Sequence, residues 1–405
     1  MKAIRSHNDL AINGAAPAFV DPIHVGRPNL GGKESLLRYT GEIYDRGWLT
    51  NNGPLVQELE SRIAARIGVE HCVAMCNGTV ALEIAARALG LAGEVIVPAF
   101  TFVATAHALQ WQEITPVFCD VDPATHLLDP ARVEAMITPR TSGIVGVHVW
   151  GQPCNVEALA EIAQRRGLRL LYDAAHAFAC SHRGQMIGNF GDAEVFSFHA
   201  TKFFNTFEGG AVATNDDDLA QRIRLMQNFG FTGLDTVVYV GTNGKMSEVS
   251  AAMGLTGLEG LDDFVAANRR NYDCYAAALA GVPGLRMLRY DGQARQNYQY
   301  IVLEVDETAG ISRDDLVRVL HAENVRARRY FYPGVHRMEP YRSYFPHAGL
   351  LLPVTEKLAG QVLVLPTGTA VSPQDIDQIA QLVAFAVANG PAISQELGRA
   401  QKSVA

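Results

Sequence analysis

From about Val69 onward, short apolar runs alternate with amphipathic segments, and this alternation is the feature that most restricts the possible folds. A short apolar run is typical of a buried strand, and an amphipathic segment after it is typical of a covering helix. This order favours a mainly parallel sheet with helices packed on it. The candidate strands are CVAMC at 72, EVIVPA at 94, PVFCDV at 116, GIVGVHV at 143, LRLLYD at 168, EVFSF at 194 and AVAT at 211. Candidate helices include 79–90, 155–167 and 216–228, so we predict a large α/β domain with a seven-stranded sheet.

A second, smaller domain is predicted because a chain of 405 residues exceeds the usual size of one compact core. After about Gly254 the pattern changes to a long helical stretch, followed by YQYIVLEV, VRARRYFY and the helical pattern QDIDQIAQLVAFAVANG. We therefore expect residues 1–254 to form an N-terminal segment and the large domain. Residues 255–405 are expected to form a smaller C-terminal α+β domain.

Composition excludes several classes of function. The chain has 34 Lys and Arg against 42 Asp and Glu, a formal charge of -8, and no basic run, which argues against nucleic acid as a partner. Its six cysteines include no CxxC pair, as expected of reduced thiols in a cytoplasmic protein. No apolar run approaches the ~18 residues that span a bilayer, so we expect no membrane partner either.

Two features near the first strands could serve a ligand. In MCNGTVALEIAARAL a strand turns at Asn77 and Gly78 and enters a helix at Thr79, and a helix N-terminus with a glycine favours a bound anion. An ordinary strand-to-helix turn is the alternative. Phe102, just after the next strand in PAFTFVAT, has a ring that could cover a flat ligand or pack in the core.

A carboxylate closes one of the most apolar strands. Asp173 ends LRLLYD, and ligands of open α/β sheets bind outside the carboxyl ends of strands. His176 follows three residues later, so both side chains are candidates for the same crevice. A helix-capping role for Asp173 is one alternative. A metal pair is another, although no third ligand has a recognisable spacing.

The stretch EVFSFHATKFFNTFEGGAV places Lys202 between a buried strand and two phenylalanines. Burial lowers the pKa of an amine and makes it a nucleophile towards carbonyls. A lysine whose ammonium reaches solvent is the alternative. The order of anion-binding turn, aromatic ring, strand-end acid and lysine matches the needs of pyridoxal phosphate: a phosphate site, a ring face, a partner for the ring nitrogen and a Schiff-base amine.

These residues resemble the DegT/DnrJ/EryC1/StrS sugar aminotransferases, from about Arg46 to Pro366. The motifs that carry the resemblance are RGWLTNNGPLVQELE, CNGTVALEIAARALG, PAFTFVATAHA, YDAAHAFA, FSFHATKFFNTFEGGAV and GTNGKMSEVSAAMGL. The resemblance implies the α/β fold of the fold-type-I, aspartate aminotransferase-like enzymes. Two positions depart from the family pattern: Asn77 stands where Ser is usual, and Tyr172 precedes the acid where Glu is frequent.

The same resemblance assigns roles to the candidate residues. Lys202 would form the Schiff base, Asp173 would pair with the pyridine nitrogen, and His176 would contact the cofactor hydroxyl. Phe102 would stack on the ring. The residues expected around the phosphate are Asn77, Gly78, Thr79, Ser197 and, reaching over from a neighbouring subunit, Asn243. The last role implies a homodimer with shared active sites.

Within the family, FHATK and YFYPGVHRMEPYRS look most like enzymes that aminate C4 of a nucleotide-linked 4-keto-6-deoxyhexose. The resemblance implies L-glutamate as amino donor, pyridoxamine 5'-phosphate as the intermediate cofactor form, and conversion of dTDP-4-keto-6-deoxy-D-glucose to dTDP-4-amino-4,6-dideoxy-D-glucose for O-antigen or other deoxysugar biosynthesis. Lys202 argues against the dehydratase relatives, which have histidine there. The alternatives are a C3 aminotransferase, an aminocyclitol-forming enzyme, a UDP- or GDP-linked substrate, and a regulatory protein with this fold.

A nucleotide diphosphate needs cations and aromatic rings near the mouth of the crevice. The candidates are Lys245, Arg328, Arg329, Tyr330, Tyr332 and His336. A solvated charged strand explains the two arginines equally well.

Overall fold

The computed structural model describes residues 2–402 of the chain, with side chains described as far as residue 398. The helices, numbered in chain order, are α1 Lys33–Arg46, α2 Pro54–Ile67, α3 Gly78–Ala88, α4 Ala104–Gln110, α5 Pro130–Ala135, α6 Val156–Arg166, α7 Asp217–Met226, α8 Glu248–Glu259, α9 Leu261–Ala278, α10 Arg313–Ala322, α11 Tyr341–Tyr344, α12 Pro353–Gln361, α13 Pro373–Ala388 and α14 Gly390–Lys402. The strands are β1 Ile23–His24, β2 His71–Met75, β3 Glu94–Pro98, β4 Thr115–Cys119, β5 Thr141–Val147, β6 Arg169–Asp173, β7 Ser181–His182, β8 Gln185–Met186, β9 Ala193–Ser197, β10 Gly210–Thr214, β11 Leu285–Met287, β12 Ile301–Val305, β13 Val325–Arg326 and β14 Val362–Leu365.

The main sheet has seven strands in the order β2-β10-β9-β6-β5-β3-β4, which confirms the predicted α/β architecture. Strand β10 runs antiparallel to both of its neighbours, and all other adjacent pairs are parallel. The central strands read as nearly continuous apolar runs because helices cover both faces of the sheet. The seven strands coincide with the seven apolar runs of the sequence to within a few residues.

Alternate residues of each strand enter different cores, as the two-residue repeat of a strand requires. On one face, Val73, Val195 and Val212 pack in the core that includes residues of α3, α4 and α7. On the other face, Phe196 and Ala211 join the core that includes α2 and α8. The sheet is therefore packed against helices on both faces.

The C-terminal part forms a separate antiparallel sheet in the order β11-β12-β14. Its core includes residues of α10 and α13 and also the fully buried Leu10. Strand β1 pairs in parallel with β13, so the N-terminal segment lies against the C-terminal part of the chain.

The domain boundary that we expect at residue 254 falls inside helix α8. The division of the chain into two domains at that residue stays a prediction. Among the described helices, none is both long and apolar enough to cross a bilayer.

A buried carboxylate joins α2 to α8. Glu248, the first residue of α8, is fully buried and accepts hydrogen bonds from the backbone nitrogens of Leu55 at 3.0 Å and Val56 at 2.9 Å. These two N–H groups are in the first turn of α2, where no intrahelical acceptor exists. The negative charge is also favourable at that end of the helix.

We predict that Glu248→Gln destabilises the protein, because the amide replaces one acceptor oxygen with a donor that faces a backbone N–H. The free energy of unfolding should fall by about 1–3 kcal/mol, measured by urea denaturation. Glu58→Gln in α2 is the matched control, since Glu58 only forms an exposed pair with Arg62. It should change stability by less than about 0.5 kcal/mol. Equal effects of the two substitutions would contradict a capping role for Glu248.

Candidate active site

The candidate residues meet at the carboxyl edge of the main sheet. Strands β2, β3, β6 and β9 all end there. Strand β2 leads into the turn at Asn77, and β3 leads into the loop that carries Phe102. Asp173 is the last residue of β6, and Ser197 is the last residue of β9. Lys202 follows β9 after a short turn in which its backbone nitrogen donates to the carbonyl of His199 at 2.8 Å. A crevice at this edge is the usual ligand site of an open α/β sheet.

The turn after β2 presents unpaired backbone donors. Asn77 is the N-cap of α3, and its Oδ1 accepts from the nitrogen of Val80 at 2.8 Å. The N–H groups of Gly78 and Thr79 belong to the first turn and have no intrahelical acceptor, so they are free to bind an anion. A Cβ at position 78 would lie 3.0 Å from the Cβ of Ser197, so the glycine permits the close approach of β9. Asn77 thus shapes the turn through its cap.

Asp173 is buried at the end of β6 and is held in one orientation. Its Oδ2 accepts from the hydroxyl of Thr105 at 2.8 Å, and its Oδ1 accepts from the backbone nitrogen of Ala175 at 3.1 Å. Burial raises the pKa of Asp173, and these hydrogen bonds and the charge of Lys202 oppose that rise. A buried carboxylate of this kind gains from a cationic partner such as a protonated ring nitrogen.

His176 is buried between aromatic rings. Its Nδ1 accepts a hydrogen bond from the backbone N–H of Trp150 at 3.2 Å, so in the neutral ring the proton is on Nε2. Burial and the nearby charge of Lys202 hold the pKa of His176 well below its usual value. The imidazole is therefore neutral and offers Nε2–H as a donor. Its ring centroid lies 4.4 Å from that of Tyr300.

The Lys202 amine is close to a phenol from the C-terminal part of the chain. Its Nζ lies 3.4 Å from the hydroxyl oxygen of Tyr300. Burial lowers the pKa of Lys202 from 10.5 to about 8, while the charge of Asp173 acts in the opposite direction. A substantial fraction of the amine is then neutral near physiological pH, as a nucleophile or a general base requires.

Phe102 does not belong to the core, because 57% of its surface is exposed. The core position is filled instead by Phe100, two residues earlier, which is 1% exposed. The ring of Phe102 is thus available to a ligand at the strand edge.

Sequence analysis missed two residues of the site, Thr105, which contacts Asp173, and Tyr300, which contacts Lys202. Thr105 lies in the motif PAFTFVATAHA, three residues after Phe102, and that spacing could have indicated a second site residue there. The sequence around Tyr300 contains no motif that indicates a role at the site.

The candidates for nucleotide binding lie in different places. Arg329 pairs with Asp314 at 3.0 Å and covers the ring of Tyr332, with 4.6 Å between the guanidinium carbon and the ring centroid. Arg328 covers the ring of Tyr330, whose centroid lies 6.2 Å from that of Tyr300. Among these four residues, Tyr330 is thus the one that lies beside Tyr300, the neighbour of Lys202.

His336 and Lys245 lie apart from this group. His336 is 2% exposed and its Nε2 lies 2.7 Å from Oε1 of Glu356, which leaves it little access to a ligand. Lys245 donates to Oδ1 of Asn228 at 2.8 Å and forms a bridge with Met75 at the end of β2. It therefore lies beside the anion-binding turn.

Asn243 also lies near this turn, but its side chain is exposed and makes no hydrogen bond to any described residue. Its position is fixed through the backbone, since the nitrogen of Cys76 donates to the carbonyl of Gly244 at 2.8 Å. The amide is therefore free to reach a group outside its own chain.

These residues fit pyridoxal phosphate. Free N–H groups of Gly78 and Thr79 suit its phosphate, and the buried Asp173 suits its ring nitrogen. The exposed ring of Phe102 suits its face, and Lys202 suits its aldehyde. Within the described side chains, no group of three or more His, Cys, Asp or Glu could hold a metal ion.

We predict that amine-reactive reagents modify Lys202 with an apparent pKa near 8, compared with an ordinary value of 10.5. Because burial disfavours the ammonium form, the neutral amine appears at lower pH than in a free lysine. The measurement is the labelled fraction of the Lys202 peptide in the folded, cofactor-free protein as a function of pH, by mass spectrometry. The same peptide in urea is the control. An equal midpoint in the folded and unfolded protein would contradict the desolvation of Lys202.

Comparison with known proteins gives matches over most of the chain. The chain is 40% identical over 365 residues to a dTDP-4-amino-4,6-dideoxy-D-glucose transaminase of Shigella dysenteriae, which covers 89% of this chain and 98% of that protein. It is 36% identical over 363 residues to GDP-perosamine synthase of Caulobacter vibrioides, which covers 88% of this chain and 96% of that protein. The solved structure of DesI in the presence of its TDP-sugar product has a TM-score of 0.93 and 49% identity, and the match covers 96% of this chain and 99% of that one.

A family model matches residues 32–384, a range that includes every candidate catalytic residue. The fold of the main sheet and the residues at its carboxyl edge agree with that match, and the alternative of a protein without turnover has no support. The chain belongs to the DegT/DnrJ/EryC1/StrS aminotransferase family and is a pyridoxal phosphate-dependent aminotransferase of fold type I.

Proposed function

We propose that the protein transfers an amino group from L-glutamate to C4 of dTDP-4-keto-6-deoxy-D-glucose and releases dTDP-4-amino-4,6-dideoxy-D-glucose. The observation that carries the proposal is the partly buried Lys202 amine, whose pKa is lowered to about 8 and whose Nζ lies 3.4 Å from the hydroxyl of Tyr300. The name of the Shigella dysenteriae relative supports C4 of a dTDP-linked sugar as the acceptor. The expected product would serve O-antigen or other deoxysugar biosynthesis.

The bound cofactor supplies an electron sink that makes a proton on the donor α-carbon removable. Lys202 then takes that proton as a general base and later delivers a proton to C4 of the sugar, which its lowered pKa permits. Asp173 keeps the cofactor ring nitrogen protonated, because its buried charge is stabilised by a cation. His176 would offer its Nε2–H to the ring hydroxyl of the bound cofactor. Tyr300 limits the movement of the Lys202 side chain and shields its amine from water.

A GDP-linked substrate is the second candidate. The GDP-perosamine synthase of Caulobacter vibrioides is 36% identical to this chain, so a GDP-linked sugar is compatible with a similar cofactor site. The nucleotide would be selected outside that site, where Arg328 and Tyr330 are the nearest candidates. In this proposal the residues at the carboxyl edge of the main sheet, around Lys202, carry out the transamination. Residues farther from the sheet select which nucleotide-linked sugar is bound.

The proposed active unit is a homodimer. Next to Asn243 lies an exposed apolar run, Val237, Val238, Tyr239 and Val240, of which Val240 is 72% exposed. Such a run on a surface is typical of a contact with another chain. If a second copy covers it, the unbonded amide of Asn243 is brought towards the phosphate site of that copy.

A cytoplasmic location is proposed because all six cysteines are free thiols.

We predict that the protein reconstituted with pyridoxal phosphate loses its visible absorption band on addition of L-glutamate, and that the band returns with dTDP-4-keto-6-deoxy-D-glucose. A panel of dTDP-, UDP- and GDP-linked keto-sugars should give the fastest recovery with the dTDP sugar, and NMR of the product should show nitrogen at C4. Lys202→Ala should lower the rate of both stages by at least about 10²-fold, since it removes the general base. Amination at C3, or equal rates for all nucleotides, would refute the proposed substrate.

Mixed dimers test the shared site. Lys202→Ala and Asn243→Ala subunits should each be impaired alone, because each lacks a group at every site. After mixing and exchange, half of the dimers carry one subunit of each kind, and each mixed dimer has one intact site if Asn243 acts on its partner. Activity should then recover to about a quarter of the wild-type value. No recovery in dimers shown by native mass spectrometry to be mixed would mean that Asn243 acts within its own chain.

A further inference from the structure

The side chain of Trp150 connects His176 to a second buried histidine, His126. The indole Nε1–H donates to Nδ1 of His126 at 3.1 Å, so the proton of a neutral His126 is on Nε2. That Nε2 lies 2.8 Å from Oε1 of Glu304, to which it donates. The backbone N–H of Trp150 donates to Nδ1 of His176 at 3.2 Å. These hydrogen bonds therefore connect Glu304 to His176 in one chain, in which each donor meets an acceptor.

The chain is enclosed by the core and fixed at its outer end. Trp150 and His126 are fully buried, and the indole stacks on Phe331 with 5.4 Å between the ring centroids. At the outer end, Arg286 donates from Nε to Oε2 of Glu304 at 3.1 Å and keeps the carboxylate in place. A buried donor or acceptor that loses its partner finds no water to replace it. The direction of each hydrogen bond in the chain is therefore well determined.

The backbone of Trp150 has a left-handed conformation, with φ 63 and ψ 3, which is costly for a residue with a Cβ. The angle φ sets the direction of the N–H relative to the side chain. This conformation therefore lets the N–H meet His176 while the indole reaches His126. The carbonyl oxygen is held as well, since the hydroxyl of Tyr290 lies 3.1 Å from it. Residues in such conformations are concentrated at functional sites.

His176 is held in place from its other side by Asn297. This asparagine is fully buried, and its Nδ2 donates to the carbonyl of His176 at 2.8 Å. The ring nitrogen Nε2 of His176 forms no hydrogen bond with any residue from 2 to 398. A neutral histidine with one nitrogen fixed as an acceptor presents the other nitrogen as a donor. The ring is thus prepared to donate to a ligand.

We propose that Trp150 is a positioning residue of the active site, which acts with His126 to hold His176 in the tautomer that donates to the ring hydroxyl of the cofactor. This inference rests on the proposed function, in which His176 offers its Nε2–H to that hydroxyl. A donor that is already in place stabilises the hydroxyl oxygen without reorganisation. If the N–H of Trp150 turned away, Nδ1 could take the proton, and Nε2 would face the oxygen as a second acceptor.

Packing alone is the alternative role for Trp150. A ring that only fills the core needs neither a left-handed backbone nor a polar partner for a ring atom. Phe100 and Phe331 occupy the same core and meet edge to face, with 5.5 Å between their centroids. The indole nitrogen is therefore the atom that separates the two roles, and it can be removed while a ring is kept.

The experiment compares Trp150→Phe with Trp111→Phe. Trp150→Phe keeps a ring and the backbone N–H but removes the donor to His126, whereas Trp111 is 83% exposed and serves as the matched control. A second pair, His126→Asn and His126→Gly, changes the acceptor. Both new residues tolerate the positive φ of 65 at His126, but only asparagine keeps an acceptor atom at the position of Nδ1. Circular dichroism and the Tm identify any variant that fails to fold.

The first readout is the tautomer of His176 in the cofactor-free protein, from NMR of its ring nitrogens. Trp150→Phe and His126→Gly should each place part of the proton on Nδ1, because the N–H of Trp150 is no longer held against that atom. His126→Asn and Trp111→Phe should resemble wild type. An unchanged tautomer in either of the first two variants, once shown to be folded, would overturn the proposal.

The second readout is the Kd of pyridoxamine 5'-phosphate, compared with the Kd of the same compound without its ring hydroxyl. Trp150→Phe should raise the first Kd roughly 2- to 10-fold, the effect of one hydrogen bond, and the second by less than about twofold. Equal losses for both compounds would leave Trp150 with a packing role only. A wild-type enzyme that binds both compounds as expected but takes no amino group from L-glutamate would instead refute the proposed transamination.

Discussion

The site depends on the placement of an amine and a carboxylate in the same poorly solvated crevice. Burial lowers the pKa of Lys202 to about 8 and raises that of Asp173, and each charge partly offsets the effect of burial on the other. Such a pair is unfavourable for stability unless something else holds it in place. The main sheet does so, because Asp173 ends a fully packed central strand and Lys202 follows the adjacent strand β9. The hydrogen bond from Thr105 then fixes the carboxylate.

The C-terminal part completes this arrangement. Tyr300 brings its hydroxyl to Lys202 and its ring to His176, while Asn29 ties the N-terminal segment to both parts of the chain. The amine is therefore enclosed by segments far apart in sequence. The contact between the two parts matters to function, because Tyr300 of the C-terminal part contributes to the burial that lowers the pKa of Lys202.

Much of the fold could be predicted from the sequence, because buried parallel strands leave apolar runs and their ends carry polar side chains. The seven strands, the turn at Gly78, and the strand-end position of Asp173 all follow from such local patterns. Thr105 could have been found from the same motif as Phe102. Tyr300 could not, because its role arises from contact with a residue 98 positions away, and no local period encodes that contact.

Position in the fold also separates the candidate cations, which sequence alone could only group together. Arg328 and Arg329 occur in one basic stretch, yet one lies over an aromatic ring and the other is neutralised by Asp314. Lys245 lies in a different place again, because its backbone pairs with Met75 at the end of β2. These different surroundings exist only in the folded chain, because they depend on contacts between residues that are not neighbours in sequence.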